Sequence, residues 1–365
     1  MTAYTWLIVL LLAASFLFRG NQRQSKKFIV IAFLLLFAVM GLRNVNAFGS
    51  DASGTNGSYP IIYINAVNSA WSELSDKTER NYYLGFLYLM KLIYVITNGD
   101  YQALITILSL FVVFSYMRFI WKYSSSPIQS VLCFLGLLYY TLLFDALKQA
   151  VAMAILLFAF DAIIEKKPVR FVILAVLAAL FHFPALVFLP AYWIGRMKAG
   201  RGYILLLGAL LLITYLFRDQ LLNLMLDAYG GEDIDATMEG IRFLRNKAVI
   251  MIVIAVFAAM VRPPAPDDTV YNALLMFAGI AIVLQTFCGY SNIFERLADY
   301  YFHTSIVLIP LIFEKNGKSR MRAIAGVDQR IIEAVPLVIC AFAIWRFLST
   351  VNQSGIYMPY RFLWQ

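Results

Sequence analysis

The side chains that could do chemistry in this sequence are few, and most lie within or beside apolar runs. There are only two histidines, His182 and His303, and three well-separated cysteines, Cys133, Cys288 and Cys340. These residues cannot form a zinc ribbon, an H-E-x-x-H protease site or a C-x-x-C redox pair, and neither a Gly-rich nucleotide loop nor a G-x-S-x-G motif is present. We therefore expect no metal and no cofactor, and a chemistry built on Asp, Glu, Lys, Arg, Tyr and at most one or two His.

His182 stands between Phe181 and Phe183 in an apolar stretch. An imidazole titrates close to neutral pH, so a histidine at the mouth of a membrane cavity can act as a general base or donate a hydrogen bond. The alternative interpretation is a packed, hydrogen-bonded core histidine. His303 lies inside a plain apolar span and is interpreted as structural.

A second polar group, Asp145, Lys148 and Gln149, stands at the start of another apolar span. Charges inside spans are costly and therefore suggest function. Because the cation follows the anion by three residues, both lie on one helical face. One interpretation is a local pair of Asp145 and Lys148 that neutralises itself near the membrane interface. The other is that Lys148 and Gln149 point into the bundle and hold an anionic group such as a pyrophosphate.

Four arginines lie at span ends or in long loops on one predicted side of the membrane. They are Arg43, Arg242, Arg245 and Arg296. The guanidinium fork suits phosphate oxygens, which makes these residues candidates for binding a phosphorylated substrate. The alternative for each is snorkelling or a loop ion pair, and Glu295 and Asp299 are the obvious partners for Arg296.

The elements that position these residues follow from composition. The chain is 62% hydrophobic and 14% charged, against about 45–50% and about 25% in soluble domains, which excludes a soluble globular protein. Apolar runs long enough to cross the hydrocarbon, about 20 residues each, recur along the chain. Spans are predicted near 4–18, 28–42, 101–121, 128–143, 146–164, 203–217, 247–261, 270–290, 300–313 and 331–349.

The distribution of Lys and Arg predicts the orientation, because cytoplasmic loops retain basic residues. The loops 19–27, 165–170, 196–202, 262–269 and 314–330 are predicted to be cytoplasmic, and the long loops 43–80 and 218–246 to be outside. Both termini are then outside. The net charge of +9 is explained by this topology, so the partner it indicates is the lipid bilayer and no nucleic acid.

Two further apolar stretches, 82–96 and 171–195, do not fit as plain spans. Both ends of 171–195 are basic, so this stretch must enter and return, and each half is only ~18 Å long at 1.5 Å per residue. The turn at His182 is then expected near the outer leaflet, and 82–96 is expected to lie in the interface or to re-enter. The prediction is an all-α polytopic membrane protein of about 11–13 transmembrane helices, forming a single domain over 1–365.

Several segments resemble a known family. These are Leu147-Lys148-Gln149-Ala150-Val151-Ala152, the turn Lys166-Lys167, and Leu177-Ala178-Ala179-Leu180-Phe181-His182-Phe183-Pro184-Ala185-Leu186. They are similar to the EpsG-type, Wzy-like polysaccharide polymerases of bacterial envelopes, in which a helix beginning Arg-Gln-x-x-Ala precedes a basic turn and a segment ending in Phe-His-x-x-Ala. Gly41-Leu42-Arg43 with Gly49, Asp51 and Tyr59, and later Arg296, Tyr300, Pro310 and Pro359-Tyr360, also resemble the family pattern. Lys148 stands where the family usually has Arg, which keeps the charge but loses the bidentate fork.

The resemblance implies a reaction at the outer face of the bacterial cytoplasmic membrane. A hydroxyl of one undecaprenyl-diphosphate-linked oligosaccharide would attack the anomeric carbon of another, and the lipid diphosphate would leave. Arg43, Lys148 and Arg296 would stabilise the diphosphate. His182 would be the base, with Asp51 in reserve. Gln149, Tyr59, Arg242 and Arg245 complete the predicted substrate site, and polysaccharide-export and chain-length proteins are expected as further partners.

Two alternatives remain open from the sequence. A lipid-linked oligosaccharide flippase or transporter would also be hydrophobic, polytopic and rich in intramembrane charge, although repeat symmetry and midplane polar residues are expected of it. A membrane acyltransferase acting on surface sugars would need a carboxylate close to its base, whereas the sequence neighbours of His182 are apolar.

Overall fold

The structure, a computed structural model, describes most of the chain. The described residues are 2–18, 20, 22–46, 51–53, 58–75, 83–200, 202–217, 219–220, 223, 246–261, 267–288, 292–314, 329–353 and 355–365. Within them there are sixteen α-helices and no β-strand beyond one isolated bridge between Arg43 and Phe362. The predicted fold class, an all-α polytopic membrane protein, is confirmed.

The described residues group into two compact units. Unit 1 comprises Met1–Ala162, Val169–Leu186 and Ala334–Gln365, and unit 2 comprises Ile163–Pro168 and Val187–Glu333. The helices mainly in unit 1 are α1 (Ala3–Leu17), α2 (Gln22–Gly41), α3 (Ser58–Asn68), α4 (Leu84–Thr97), α5 (Tyr101–Tyr123), α6 (Pro127–Gly136), α7 (Leu142–Asp145), α8 (Leu147–Ile164), α9 (Pro168–Phe181) and α16 (Gln329–Gln353). Those of unit 2 are α10 (Ala191–Ile194), α11 (Tyr203–Leu216), α12 (Asn246–Val261), α13 (Thr269–Gln285), α14 (Asn292–Phe302) and α15 (Ser305–Ile312). A single domain over the whole chain stays a prediction.

Four of the described helices are long and apolar enough to cross a membrane. They are Arg23–Gly41 in α2, α5, α8 and Ala334–Gln353 in α16, and eight shorter apolar helices accompany them. Of the four, α8 is the most enclosed by protein and α16 the least. The helix that carries Lys148 and Gln149 is therefore central to unit 1, while α16 presents most of its apolar surface outward.

Helix α5 defines two ends of unit 1. At its start, the hydroxyl of Thr106 donates to the carbonyl of Gly41 at the end of α2 (2.8 Å). At its far end, Lys122 donates to the carboxylate of Asp161 near the end of α8 (3.0 Å). We call these the Arg43 end and the Asp161 end. Because α5 and α8 both run from the first to the second, the chain between them must return, which α6 and α7 accomplish.

The Asp161 end is fixed by a buried carboxylate. The side chain of Asp161 is fully buried and accepts hydrogen bonds from Arg118, Lys122 and Tyr123. Two cations and a phenol thus converge on one anion. Removing that anion would leave two neighbouring cations without the buried counter-charge that pairs with both.

We expect Asp161→Asn to lower the free energy of unfolding by about 3 kcal/mol. This value is at the lower end of the range for breaking a buried ion pair, because the side chains of Arg118 and Lys122 are partly exposed. The measurement is the thermal unfolding midpoint of the protein in detergent. The control is Glu165→Gln, which removes an exposed ion pair with Lys167 and should change stability by less than ~1 kcal/mol. Equal midpoints for Asp161→Asn and the wild type would contradict this account of the cluster.

The predicted span 128–143 is not one continuous helix. Helix α6 ends at Gly136, where an added Cβ would lie 2.5 Å from the Cα of Ala343 in α16. A glycine is therefore needed for this close backbone approach. Its carbonyl accepts a hydrogen bond from Arg346 of α16 (2.6 Å). The chain then turns, with Leu138 at φ 67°, and α7 leads it back to the Arg43 end.

The two unusual apolar stretches form short helices. Most of the stretch 82–96 forms α4, which begins at Leu84, and the backbone of its Gly85 packs on Leu180 of α9, where an added Cβ would lie 2.9 Å from that leucine's Cβ. In 171–195, α9 ends just before the turn at His182, as predicted, and a 3-10 helix, Phe183–Phe188, follows. The region 43–80, interpreted as a loop, instead contains α3 and a short 3-10 helix, Trp71–Glu73.

Unit 2 is organised around α13. The hydroxyl of Tyr203 in α11 donates to the carbonyl of Leu275 (2.7 Å), and that of Tyr271 donates to the carbonyl of Ala258 in α12 (2.8 Å). The predicted span 300–313 is divided, since α14 ends at Phe302 and α15 begins at Ser305. These phenol-to-carbonyl bonds satisfy the tyrosines where few other donors or acceptors are at hand.

Candidate functional site

Arg43 directly follows α2 and is buried, with 1% of its surface exposed. Its Nη2 donates to the carbonyl of Leu143 (2.8 Å), its Nη1 contacts Met40, and the guanidinium carbon lies 4.2 Å from the ring centroid of Phe144. In the described part of the chain, no carboxylate pairs with it. Burial lowers the pKa of Arg43, but a guanidinium stays charged at neutral pH. Arg43 therefore positions α7, which leads into α8, and its direct contact with a diphosphate stays a prediction.

The segment after α16 closes over Arg43. Phe362 forms the backbone bridge with Arg43, and the N–H of Leu363 donates to the carbonyl of Leu42 (2.8 Å). The hydroxyl of Tyr360 donates to the carbonyl of Val39 (2.8 Å). Burial raises the pKa of Tyr360, so this phenol stays neutral. Arg43 is thus surrounded by neutral rings and backbone carbonyls.

Lys148 lies in the first turn of α8 and is half-buried. Its ammonium is 3.7 Å from the ring centroid of Tyr83 and 5.9 Å from that of Tyr59. Its backbone N–H donates to the Tyr59 hydroxyl (3.4 Å). Rings at these distances attract an ammonium. Because a helix N-terminus also favours negative charge, this turn of α8 combines two features that attract an anion.

Asp145, the predicted local partner of Lys148, accepts a hydrogen bond from the hydroxyl of Tyr357 (3.2 Å). Gln149 is buried, 2% exposed, in the first turn of α8. The Gln149 side chain is therefore enclosed by protein. Whether Gln149 contacts a substrate stays a prediction.

Asp51 and Tyr59 are joined through the backbone. The N–H of Tyr59 donates to the carbonyl of Asp51 (3.0 Å), and the N–H of Ala52 donates to the carbonyl of Phe144 (3.1 Å). The side chain of Asp51 is exposed. These bonds hold the segment 51–53 beside Phe144, which contacts Arg43, and beside Tyr59, which contacts Lys148. The segment that carries the Asp51 carboxylate is therefore next to the cationic site.

His182 lies at the turn that follows α9, with its side chain half-buried. Its N–H donates to the carbonyl of Ala178 (3.0 Å), and its carbonyl accepts from Ala185 (2.9 Å). The adjacent Phe181 packs edge-on against Phe86 of α4, with centroids 6.5 Å apart. Phe86 in turn contacts Tyr59, 5.8 Å away. A continuous row of rings therefore connects the turn at His182 to the residues that hold Lys148.

Tyr83 is the site residue that sequence reasoning missed. A tyrosine beside an apolar stretch is ordinarily explained by the aromatic belts of the membrane interface. Burial raises the pKa of Tyr83, so the ring that faces the Lys148 ammonium stays a neutral phenol. The sequence does contain one indication of this contact. Tyr83 immediately precedes one apolar helix and Lys148 lies in the first turn of another, so folding can bring the starts of the two helices together.

The remaining predicted site residues belong to unit 2 or fall outside the described residues. Arg296 is an exposed residue of α14 in unit 2. The carboxylates of Glu295 and Asp299, the expected partners of Arg296, accept hydrogen bonds from Lys247 (3.2 and 2.8 Å). Arg242 and Arg245 fall outside the described residues. His303 is fully buried with its Nδ1 2.9 Å from the carbonyl of Asp299, which fits its interpretation as structural.

The described residues contain no group of three or more His, Cys, Asp or Glu that could hold a metal ion. Together, the helices and the site define a class of protein: a polytopic all-α membrane protein with a cation, tyrosine rings and a helix N-terminus at one end of its bundle. A comparison with family models identifies it further. The model of the EpsG family matches residues 4–362, and the chain belongs to this family of Wzy-like polymerases. No curated protein and no solved structure matches the chain significantly.

Proposed function

We propose that the protein is an exopolysaccharide polymerase that joins undecaprenyl-diphosphate-linked oligosaccharide repeat units at the outer face of the bacterial inner membrane. Membership of the EpsG family supports a polymerase of envelope glycans. The observation that carries the proposal is the placement of Lys148 at the start of α8 between Tyr59 and Tyr83. A leaving diphosphate needs a cation of this kind, because negative charge develops on it as the glycosidic bond breaks.

The roles of the other residues follow from their positions. The Lys148 ammonium binds the lipid diphosphate at the N-terminus of α8, and Arg43 positions that turn through Leu143 and Phe144. His182 takes the proton of the acceptor hydroxyl as that oxygen attacks the anomeric carbon, and Asp51 is the reserve base. The glycosidic bond to the diphosphate breaks, and the lipid diphosphate leaves with the bonding electron pair.

The orientation belongs to the same proposal. The basic loops near Arg118, Lys122 and Lys166 lie toward the Asp161 end, and cytoplasmic loops are the ones that retain such residues. The Arg43 end then faces outward, where a lipid-linked repeat unit would arrive after translocation. The segment 357–363 and Tyr4 lie at that same end, since the Tyr4 hydroxyl donates to the carbonyl of Tyr357 (3.2 Å).

The test is expression of the chain in cells that lack their own polymerase but make lipid-linked repeat units of the source strain. We expect long-chain surface glycan on a gel, with single repeat units on lipid in the empty-vector control. A flippase or an acyltransferase would leave the glycan at one repeat unit. Single repeat units in cells that contain the wild-type protein in the membrane would therefore overturn the proposal.

A further inference from the structure

A cavity of about 490 Å³ opens at the Arg43 end beside α3. This volume lies within the ~300–1,000 Å³ of small-ligand sites. Its polar and aromatic lining residues are Asn44, Asn46, Tyr63, Asp100, Tyr101 and Gln102. Among the described lining residues the one charged side chain is the acid Asp100. Diphosphate binding therefore does not explain the cavity, and it calls for a ligand of different chemistry.

Tyr63 gives the first sign of what that ligand is. The side chain is 4% exposed, and its hydroxyl has no hydrogen-bond partner among the described residues. The nearby hydroxyl of Thr97 donates instead to the carbonyl of Ile93 (2.8 Å). Buried polar groups are ordinarily hydrogen-bonded. A phenol that lines a cavity without a protein partner indicates a ligand with hydroxyl or carbonyl groups.

The other lining residues offer hydrogen bonds as well. Asn44 accepts one from the N–H of Asn46 (3.0 Å), and Asp100 accepts one from the N–H of Gln102 (2.8 Å). Each of these bonds uses one oxygen. The side-chain amide N–H groups of both asparagines and the second oxygen of Asp100 remain without a hydrogen bond in the described part of the chain. They can serve a ligand that both donates and accepts.

Two rings complete the recognition surface. Tyr63 and Tyr101 meet edge-to-face with centroids 5.5 Å apart. A polyhydroxylated ring presents hydroxyl groups at its edge and C–H groups on its faces. Amide and carboxylate groups can form hydrogen bonds with the hydroxyl groups, and aromatic rings can pack against the C–H faces. This combination fits a sugar, and the carboxylate of Asp100 disfavours an acidic one.

Helix α3 connects the cavity to the Lys148 site. Tyr59 contacts Lys148, and Tyr63 lies one helical turn further on, on the same face, ~6 Å along the helix axis. Tyr101 also belongs to both places, because its hydroxyl donates to the carbonyl of Ala52 (3.2 Å). A glycan whose diphosphate lies at Lys148 would therefore bring its sugars to this cavity.

We propose that the cavity binds a neutral or amino sugar of the repeat unit whose diphosphate lies at Lys148, which rests on the proposed function. The test uses membrane vesicles containing the protein and repeat units on lipid diphosphate extracted from polymerase-deficient cells. Tyr63→Phe and Asn46→Ala should raise the KM for these units about tenfold, the effect of one lost hydrogen bond. The kcat should change less than twofold, because no group at the reacting bond is altered.

The matched control is Tyr94→Phe, which removes the hydroxyl of an exposed tyrosine that does not line the cavity. The ring centroids of Tyr94 and Tyr63 are 6.1 Å apart. Tyr94→Phe should leave KM unchanged. A second measurement uses the free oligosaccharide released from the lipid by mild acid, whose binding to the purified protein does not require catalysis. Its dissociation constant should also rise about tenfold in Tyr63→Phe.

These two measurements separate the proposals. A wild-type protein that polymerises, with Tyr63→Phe and Asn46→Ala unchanged in KM, overturns the sugar cavity alone. A wild-type protein that forms no polymer overturns the proposed function, and the binding measurement then decides the cavity. Equal oligosaccharide affinity in wild type and Tyr63→Phe would show that the cavity does not hold a sugar.

Discussion

Replacing Lys148 by Gln is expected to reduce glycan polymerisation at least 100-fold while leaving protein in the membrane. Glutamine keeps most of the length of the side chain and removes the charge that Tyr59 and Tyr83 hold at the start of α8. Loss of one group that stabilises developing charge costs about 10²–10³ in kcat. The measurement is the initial rate of polymer formation in vesicles, normalised to the amount of folded protein.

Two control variants test whether the loss of rate is caused by the loss of the charge at position 148. Lys148→Arg keeps the charge and corresponds to the residue usual in the family, so it should retain most of the rate. Lys167→Gln removes an exposed lysine that pairs with Glu165 at the other end of α8 and should behave as the wild type. Wild-type rates in folded Lys148→Gln, or equal losses in Lys148→Arg and Lys148→Gln, would remove Lys148 from the catalytic mechanism.

His182→Gln is expected to lower the rate by about 10²–10⁴, the contribution of a general base. Glutamine retains a hydrogen-bonding side chain at the turn after α9 but cannot take a proton at neutral pH. The KM should change little, because the row of rings from Phe181 through Phe86 to Tyr59 remains in place. Initial rates at saturating lipid-linked substrate measure the effect.

The comparison with Asp51→Asn identifies the base. If His182 takes the proton, Asp51→Asn should retain most of the activity, since the backbone bond from Asp51 to Tyr59 is unaffected. The reverse pattern, an inactive Asp51→Asn and an active His182→Gln, would assign the base to Asp51. His303→Gln, the other histidine, should affect stability and not the rate per folded molecule.

The sequence predicted those parts of the fold that depend on local composition. The helices α2, α5, α8 and α16 were predicted because a run of about 20 apolar residues is sufficient to define a crossing. The half-length of α9 and its turn at His182 followed from basic residues at both ends of one stretch. Helix α3 was missed because its short, mixed sequence lies in a region rich in Gly, Ser and Asn, where turns are the expectation.

Features that depend on distant contacts could not be predicted. The break after Gly136 reflects the backbone of Ala343, more than 200 residues away in the chain. Lys247 of α12 pairs with Asp299 of α14, a contact between residues far apart in the chain that no local pattern indicates. In the candidate site, the sequence predicted a cation, Lys148, at the start of an apolar helix. Its contact with Tyr83 could not be predicted, because it depends on how the residue before α4 packs near the start of α8.

The closure over Arg43 has a consequence for how the protein is made. Val39 and Tyr360, which bond across it, are 321 residues apart. At about 5–20 residues per second, a ribosome reaches Tyr360 roughly 15–60 s after it has passed Val39. Throughout that interval the C-terminal segment that covers Arg43 in the folded protein is not yet present. The Arg43 end can therefore close only after Tyr360 has been synthesised, whereas the contacts of Arg43 with Leu143 and Phe144 can form earlier.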